Sequence, residues 1–368
     1  MIRWLCVGVL LSLLVPAMTA SSKEGIQTQK TGSMERHLAN IRQLTFGRQN
    51  AEAYFSFDGT KLVFQSTNNW TAGSFAESQT GGSQAFDCYQ MYVMDLESGH
   101  IRLVSTGAGA TTCGYFFPGD RRVLYSSTHL KGPNCPPKAK REGRYRWALD
   151  DYDIFSVRLD GQEVHRLTVT PGYDAEATIS PDGKAIVFTS IRDGDLELYT
   201  MNLDGSGVRR LTDEVGYDGG AFFSPDSRRI VYRASHPQTA EEKDAYQALL
   251  KQNLVEPGQL EIFVMNADGS GKHPVTRNGA SNFAPFFFPD GRTIIYSSND
   301  QDRQPDRRPS FHLYLINDDG TGMERITALG HFNSFPMFSP DGKRLVWVSD
   351  RNSTAPGEFN VFLADWLP

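Results

Sequence analysis

One short turn motif occurs six times along this 368-residue chain and constrains the fold more than any other feature. In its full form the motif reads Ser-Pro-Asp-Gly. Its copies lie at 56–59, 117–120, 180–183, 224–227, 288–291 and 339–342. Proline presets the backbone at the first corner, aspartate bonds nearby backbone groups, and glycine accepts the left-handed conformation that closes a hairpin. Six copies of one hairpin unit predict a repeat architecture.

Further strand-like segments recur with each turn. Apolar second strands follow the turns at 61–66, 122–127, 185–190, 229–234, 293–298 and 344–349. Third strands lie at 90–95, 153–159, 197–202, 261–266, 312–317 and 359–365. These segments are rich in β-branched and aromatic residues, which suit pleated packing between sheets.

The outer strand shows how the repeat closes. It follows the third strand at 101–105, 164–168, 208–212, 272–276 and 323–327, but no copy follows the sixth third strand. The missing copy is at the front, because 41–45 (Ile-Arg-Gln-Leu-Thr) matches 208–212 (Val-Arg-Arg-Leu-Thr). The sequence therefore predicts an all-β, six-bladed β-propeller with four antiparallel strands per blade. An amino-terminal strand completes the last blade, which leaves only short protected edges.

The amino terminus predicts export. Arg3 precedes an apolar run over 4–15, and small residues end at Ala20, which is the layout of a cleavable signal peptide. We expect a signal peptide at 1–20, a flexible segment at 21–36 and the propeller at 37–368. No later stretch is apolar enough to span a membrane, so a periplasmic or secreted monomer is expected. The net charge of −6 offers no general basic face for nucleic acid.

The repeat resembles a known family. The Ser-Pro-Asp-Gly turns, the stretch at 188–195 (Phe-Thr-Ser-Ile-Arg-Asp-Gly-Asp) and the Asp-Gly-Ser-Gly-x-x-x-Leu-Thr ends are similar to the propeller repeat of TolB. TolB is the periplasmic component of a bacterial Tol system, and the resemblance implies the same propeller fold. We expect no counterpart of the α/β domain that precedes the TolB propeller.

Departures from the repeat point to function. Insertions separate the second and third strands of four blades, at 67–87, 129–151, 236–259 and 299–310. In an up-and-down blade these loops leave from one face of the disk, which is typical of a binding face. The alternative is that they only cover the channel mouth. Within 236–259, a capping box at 239–242 predicts a helix that packs its apolar side onto the disk.

The innermost strands line the central channel and supply candidate ligand-binding residues. Each strand begins with a small polar residue, including Asp174, Asp218, Asn282 and Asn333. A structural cap on loop backbone groups also explains a feature that all six strands share. Two positions further on, the ring reads Glu52, Cys113, Glu176, Gly220, Ala284 and Phe335. Only Glu52 and Glu176 are acidic in this ring, which makes both of them candidates.

Three histidines, His129, His236 and His331, are expected on the insertion face. With the nearby carboxylates they form a candidate set of ligands for a divalent metal ion at the channel mouth, although simple hydrogen bonds to neighbouring loops also account for them. Two functions follow. One is a binding scaffold for a peptide, a protein partner or a cell-wall glycan. The other is a metal-assisted carbohydrate-active lyase or hydrolase, by analogy with oligogalacturonate lyases. No catalytic residue is assigned.

Three cysteines remain after the signal peptide, Cys88, Cys113 and Cys135, and all three map to the insertion face. In an oxidising compartment two of them are expected to pair. The preferred pair is Cys113 with Cys135, because both belong to one blade.

Overall fold

The structure is a computed structural model that describes residues 35–70, 85–139, 146–256, 258–302 and 309–368. These residues form six four-stranded antiparallel sheets, and each innermost strand contacts the innermost strands of the two neighbouring sheets, so the ring is closed. The six-bladed propeller prediction is thus confirmed. The predicted signal peptide, at 1–20, and residues 21–34 of the segment after it lie outside the described residues.

The first three blades follow one another along the chain, and their strands run from the channel outward. Blade 1 contains β2 (Asn50–Phe55), β3 (Lys61–Asn68), β4 (Ala85–Asp95) and β5 (Ile101–Leu103). Blade 2 contains β6 (Thr111–Phe116), β7 (Arg122–Ser127), β9 (Asp153–Arg158) and β10 (His165–Arg166). Blade 3 contains β11 (Asp174–Ile179), β12 (Ile186–Ser190), β13 (Glu197–Met201) and β14 (Arg209–Arg210).

The last three blades repeat the pattern. Blade 4 contains β15 (Tyr217–Phe223), β16 (Arg229–Ser235), β18 (Glu261–Asn266) and β19 (His273–Pro274). Blade 5 contains β20 (Asn282–Phe287), β21 (Thr293–Ser298), β22 (His312–Asn317) and β23 (Glu324–Arg325). Blade 6 contains β24 (Asn333–Phe338), β25 (Arg344–Ser349), β26 (Asn360–Trp366) and β1 (Leu38–Gln43). Short 3-10 turns occupy His129–Lys131 and Asp300–Asp302.

A repeated aromatic pair lies in the middle of every blade. One ring comes from the second strand and the other from the directly opposite residue of the third strand, with ring centroids between 5.6 and 5.9 Å apart. The pairs are Phe64 with Tyr92, Tyr125 with Phe155, Phe188 with Tyr199, Tyr232 with Phe263, Tyr296 with Tyr314, and Trp347 with Phe362. Cross-strand aromatic pairs stabilise sheets, so each blade carries its own piece of the core.

The repeated turn has the expected chemistry. In blade 3, Ser180 donates from its hydroxyl to the Asp182 carboxylate at 2.7 Å, and the Gly183 backbone N–H donates to the Ser180 carbonyl at 2.8 Å. Gly183 has a φ of +70°, which only glycine adopts without strain. The turn therefore joins the first and second strands with its polar groups paired internally.

Strand β1 closes the ring. It pairs antiparallel with β26, with Leu38 opposite Trp366 and Gln43 opposite Phe362. Ahead of it, Glu35 is buried and its carboxylate forms an ion pair with the buried Arg351 at 3.0 Å. Closure by the amino-terminal strand is therefore as predicted.

The insertions of blades 2 and 4 meet each other across blade 3. Strand β8 (Trp147–Ala148) pairs with β17 (Leu254–Val255), and we call this two-stranded sheet the bridge. The predicted helix is present at Ala240–Leu250 with its capping box. Its last residue, Leu250, is buried. The described residues contain no helix that is both long and apolar enough to cross a membrane.

The disulfide prediction is wrong. Cys88 is bonded to Cys135, with a Cα–Cα distance of 5.8 Å, and Cys113 is a free thiol. The reason is the position of the loop around Gly109, whose N–H donates to the Pro133 carbonyl at 2.9 Å and whose carbonyl lies 3.0 Å from the Cys88 sulfur. That loop holds the start of β4 beside the blade 2 insertion, whereas Cys113 faces the channel.

Candidate functional site

Every innermost strand carries a bulge two positions after the polar residue at its start. The pairing register shifts at this point in all six strands. The six residues there have left-handed φ values between +50° and +60°. We call them the third-position ring: Glu52, Cys113, Glu176, Gly220, Ala284 and Phe335. Left-handed backbone is uncommon outside glycine, and bulges redirect side chains, so the fold aims this ring at the channel.

All six residues of the third-position ring line one cavity, which we call the cup. Its volume is about 30 Å³, enough for roughly two water molecules. The floor consists of buried rings two positions further along the strands. Tyr54 and Phe222 line the cup, and Tyr54 lies 5.3 Å from Phe222 and 6.1 Å from Tyr115 between ring centroids. The cup is therefore a shallow polar recess above an aromatic plug.

Glu176 is fully paired within the protein. Its carboxylate forms an ion pair with Arg233, which comes from the second strand of blade 4. It also accepts hydrogen bonds from Thr189 Oγ1 at 2.8 Å, from the Gly220 N–H at 3.0 Å and from Tyr217 Oη at 3.0 Å. Both partners of the ion pair are nearly buried. The arrangement fixes Glu176 as a structural carboxylate between blades 3 and 4.

Two glycines of blade 4 make this ion pair fit. A Cβ on Gly219 would lie 2.5 Å from Glu176 Oε2, and a Cβ on Gly220 would lie 3.1 Å from Arg233 Cζ. Blade 4 thus lacks a third-position side chain because the guanidinium and the carboxylate occupy that space.

The bridge covers this side of the cup. Trp147 lies with its ring 5.1 Å from Arg233 Cζ, which is cation–π geometry, and 5.9 Å from the Tyr217 ring. Tyr246 of the insertion helix donates to Asp195 and to the Gly216 carbonyl at 2.8 Å, which fastens the helix to blades 3 and 4. The bridge and the helix therefore hold Arg233 in place from above.

Glu52 differs from Glu176 because no cation pairs with it among the described residues. Its polar neighbour in the third-position ring is Cys113. Burial raises the pKa of the Glu52 carboxyl to about 7, against the lowering contributed by Cys113 and Arg233. Burial also raises the pKa of the Cys113 thiol well above its usual value, so the thiol stays protonated.

The predicted first-position residues lie outside the cup lining and bond within their own blades, and Asn282 and Asn333 also donate to carbonyls of the preceding blade, those of Leu260 at 3.0 Å and Phe311 at 3.2 Å. Asp174 forms an ion pair with Arg192 at 3.0 Å, and Asp218 contacts His236 Nε2 at 3.1 Å. Asn282 accepts from Ser298 Oγ at 2.6 Å, and Asn333 accepts from Ser349 Oγ at 2.8 Å. All four are buried. These contacts match the structural-cap alternative, and the structure brings only Glu52 and Glu176 of the predicted set into the cup.

The three histidines are dispersed. His129 Nδ1 is 2.9 Å from Ser127 Oγ in blade 2, and His236 contacts Asp218 in blade 4. The side chain of His331 is 89% exposed. Within the ranges that the structure describes, no three His, Cys, Asp or Glu side chains converge in a way that could hold a metal ion. The predicted donors therefore do not fit a metal at the channel mouth.

Partly exposed phenylalanines extend from the cup over blades 5 and 6. Phe335 of the cup lies 6.1 Å from Phe283 between ring centroids. The contacts continue from Phe283 to Phe311 at 5.2 Å, from Phe311 to Phe332 at 6.0 Å and from Phe332 to Phe359 at 4.9 Å. We call these five residues the aromatic shelf. It lies at the insertion-bearing end of the strands, and its Phe283 packs against the apolar cluster that also contains Val255 of the bridge.

Sequence reasoning named Phe335 as part of the channel ring but missed Arg233 and the other four residues of the aromatic shelf. Arg233 had a signal, since it is a charged residue within an otherwise apolar second strand, opposite Gly219. The sequence signal for the aromatic shelf was weaker. Phe311, Phe332 and Phe359 each come directly before a strand, and only the closed ring brings them beside Phe283 and Phe335.

Comparisons with known proteins agree with this architecture. A model of the TolB beta propeller domain family matches residues 147–254 and 247–365. An uncharacterized protein of Agrobacterium fabrum is 30% identical over 89 residues, which is 24% of this chain and 28% of that protein. The chain thus spans less than a third of that curated relative in the match.

Three solved structures are similar in fold. A protein assigned as TolB from Agrobacterium tumefaciens has 20% identity and a TM-score of 0.54, covering 87% of this chain and 91% of that chain. TolB from Acinetobacter baumannii has 18% identity and a TM-score of 0.50, covering 74% of this chain and 53% of that chain. An oligogalacturonate lyase in complex with manganese has 15% identity and a TM-score of 0.51, covering 93% of this chain and 96% of that chain. At these identities the similarity concerns the fold alone.

Proposed function

The chain belongs to the TolB beta-propeller domain family, and from this premise we propose that it is a binding propeller for an extended segment of a partner protein. The segment lies along the aromatic shelf, and one of its polar groups enters the cup. The fold alone does not assign a task, because propellers carry many unrelated functions. The proposal therefore depends on the site.

One observation carries the proposal. The aromatic shelf is a continuous row of partly exposed rings that ends at Phe335, which is also a wall of the cup. Aromatic side chains are enriched at protein interfaces, where they contribute large contact areas at low entropic cost. An apolar row that leads into a small polar recess matches alternating apolar and polar side chains on one chain.

The size of the cup favours a polypeptide over a glycan. A recess of about 30 Å³ admits the tip of a side chain or a chain terminus, but a pyranose ring is far larger than the roughly two water molecules that fit there. The shelf also presents mostly edge-to-face contacts, with interplanar angles of 71° and 69° at Phe283. Such a surface is uneven, whereas a sugar ring stacks best on one flat face.

The metal-assisted enzyme is the weaker alternative. It required His129, His236 and His331 to converge with carboxylates, and each of them instead contacts side chains of its own blade or solvent. No step of catalysis is derived from these residues.

We further propose that the protein works as a monomer in the periplasm or outside the cell. The disulfide between Cys88 and Cys135 supports this, because disulfides persist mainly in oxidising compartments. Expression with the native amino terminus in a bacterial host, followed by amino-terminal sequencing, tests it. Cleavage after Ala20 is expected, and a mature protein that still begins at Met1 would contradict export.

Selection from a phage-displayed library of random dodecapeptides tests the binding function. Peptides that bind the wild type with micromolar Kd are expected to lose at least about tenfold in affinity to the Phe332→Ala and Phe335→Ala variants, equivalent to about 1.4 kcal/mol. Val208→Ala is the matched control, because Val208 is an exposed apolar residue in an outer hairpin at the other end of the strands.

Two results would overturn the peptide proposal. In one, selected peptides bind the shelf variants as well as they bind the wild type. In the other, no peptide is enriched while oligogalacturonates or chito-oligosaccharides bind and show the same dependence on Phe332 and Phe335, which would assign a glycan ligand instead.

A further inference from the structure

The charges that face the cup do not balance. Among the residues that line it, the carboxyls are Glu52 and Glu176 and the one cation is Arg233. Arg233 is committed to Glu176 and to Tyr217, which accepts from Arg233 Nε at 2.9 Å. When Glu52 is ionised, the cup therefore carries one negative charge in excess.

The excess charge belongs to Glu52. The bulge in β2 gives Glu52 a φ of +50° and turns it into the channel, where it lines the cavity. Its neighbour in the ring is Cys113, whose thiol is protonated and carries no positive charge. A partly buried carboxylate without an ion-pair partner is costly to ionise, which is why the pKa of Glu52 is raised to about 7.

The dimensions of the cup restrict the cation that could replace this proton. About 30 Å³ holds roughly two water molecules, and an ammonium head is close to water in size. Lysine presents such a compact charge on a slim flexible stem, whereas the guanidinium of arginine is a wider plane. The aromatic floor of Tyr54 and Phe222 adds no competing cation and attracts positive charge through its rings.

We propose that the cup is a binding site for a primary ammonium group, with the Glu52 carboxylate as its counter-ion. The group is supplied by a lysine side chain or by a free amino terminus. This inference rests on the proposed function for its biological partner, since the ammonium would belong to the segment on the aromatic shelf. The site itself is defined by the cup, so it can be tested without that segment.

Proton release accompanies binding. The ammonium pairs with ionised Glu52, so affinity rises as the pH rises through about 7 and falls as Glu52 is protonated. Glu52 and five other groups influence one another's pKa values. These groups are Cys113, Glu176, Arg233, Tyr54 and Tyr152. Burial raises the pKa of each of these tyrosines further above neutrality, so neither tyrosine titrates together with Glu52.

The direct test uses n-butylammonium chloride as the probe, with binding followed by ¹³C NMR of glutamate side-chain carboxyls. Saturable millimolar binding is expected at pH 8, and about tenfold weaker binding at pH 6, where about a tenth of Glu52 is ionised. The apparent pKa of Glu52 in the wild type should fall when the probe is added. Butan-1-ol and butyrate, which have the same chain without the positive charge, should not bind.

Variants locate the site. Glu52→Gln should weaken butylammonium binding at pH 8 by about tenfold or more. Glu214→Gln should leave it unchanged, because Glu214 is a 61% exposed carboxylate in the loop before the first strand of blade 4, outside the cup. If Glu52→Gln does not fold, the titration of Glu52 in the wild type still decides the question.

Butylammonium binding that is absent, or equal in the Glu52→Gln variant, would overturn the ammonium site but leave peptide binding on the shelf intact. Conversely, butylammonium binding without any selected peptide would retain the site and reject the proposed function. For selected peptides, Nα-acetylation and replacement of lysine by norleucine distinguish the two sources of the ammonium. If neither of these two changes lowers the affinity of a selected peptide, the inference is also contradicted.

Discussion

Glu52 and Glu176 occupy equivalent places in the fold and have opposite environments. Both are third residues of innermost strands, with φ values of +50° and +56°, and both line the cup. Glu176 accepts hydrogen bonds from three residues and pairs with Arg233 under the bridge, whereas Glu52 lies beside Cys113 and has no ion-pair partner within the part of the chain that the structure describes. The backbone repeat therefore sets where a side chain points, and the neighbouring blade decides what that side chain does.

The two sides of the cup are also held together differently. The Glu176 side is covered by the bridge, with Trp147 packed over Arg233. The Glu52 side is fastened by the Cys88–Cys135 disulfide, which joins blade 1 to the insertion of blade 2. The first side contains a nearly buried ion pair, whereas on the second side the Glu52 carboxyl lines the cup.

The largest expected effect comes from breaking the paired side. Arg233→Met should reduce the free energy of unfolding by about 3–5 kcal/mol, because it leaves the nearly buried Glu176 carboxylate without a counter-ion. Urea unfolding at pH 7 measures this. The double variant Arg233→Met/Glu176→Gln should recover part of the loss, and Lys184→Met, at an exposed turn position, serves as the control. A loss below about 1 kcal/mol for Arg233→Met would show that the network is not structural.

Removal of the disulfide should have the next largest effect. Cys88→Ser or Cys135→Ser should cost about 2–4 kcal/mol, since the bond closes a loop with a sequence separation of 47. Cys113→Ser should retain the disulfide, which peptide mapping under non-reducing conditions detects. If mapping instead joined Cys113 to Cys135, the description of this side of the cup would be incorrect.

The Glu52 side of the cup should make the free energy of unfolding depend on pH. Glu52 has a raised pKa, about 7 instead of 4.5, so its contribution to stability is present below about pH 4.5 and is lost as the pH rises through 7. Relative to the wild type, Glu52→Gln should therefore be neutral at pH 4 and more stable by about 1–2 kcal/mol at pH 8, allowing for partial exposure to the channel. Urea unfolding at both pH values, with Glu214→Gln as the control, checks this. A gain that is independent of pH would argue against titration of Glu52.

The smallest expected effect concerns the bridge. Arg146 and Glu256 form an ion pair at 3.1 Å, with side chains 20% and 18% exposed. Glu256→Gln should change the free energy of unfolding by less than about 1 kcal/mol, since such pairs near the surface contribute little. Thermal unfolding followed by circular dichroism is sufficient to measure it. A larger loss would mean that charge, and not strand pairing and the packing of Trp147, holds the bridge.

The repeat made the fold predictable from sequence. Six turns with one chemistry, and a lone outer strand at 41–45, define both the blade number and the closure between β1 and β26. The third-position ring was predictable for the same reason, because equivalent residues of equivalent strands lie at one level of the channel. The helix at Ala240–Leu250 was predictable from its capping box.

The contacts between insertions were not predictable, because they depend on how loops from different blades meet. The pairing of β8 with β17 joins residues more than a hundred positions apart, and no periodicity connects them. The disulfide prediction was wrong for the same reason, since proximity in the chain within one blade is a poor guide to which loops touch. Similarly, the metal proposal grouped histidines by face, but each of them contacts groups of its own blade or solvent.

A crystal structure of the protein with a library-selected peptide is the most direct test of the central claim. We predict an ammonium nitrogen of the peptide within about 3 Å of a Glu52 carboxylate oxygen, and apolar side chains against Phe332 and Phe335. Glu176 and Arg233 should remain paired as they are in the free protein. A peptide bound elsewhere, with nothing in the cup, would contradict the assignment of the cup as the recognition site.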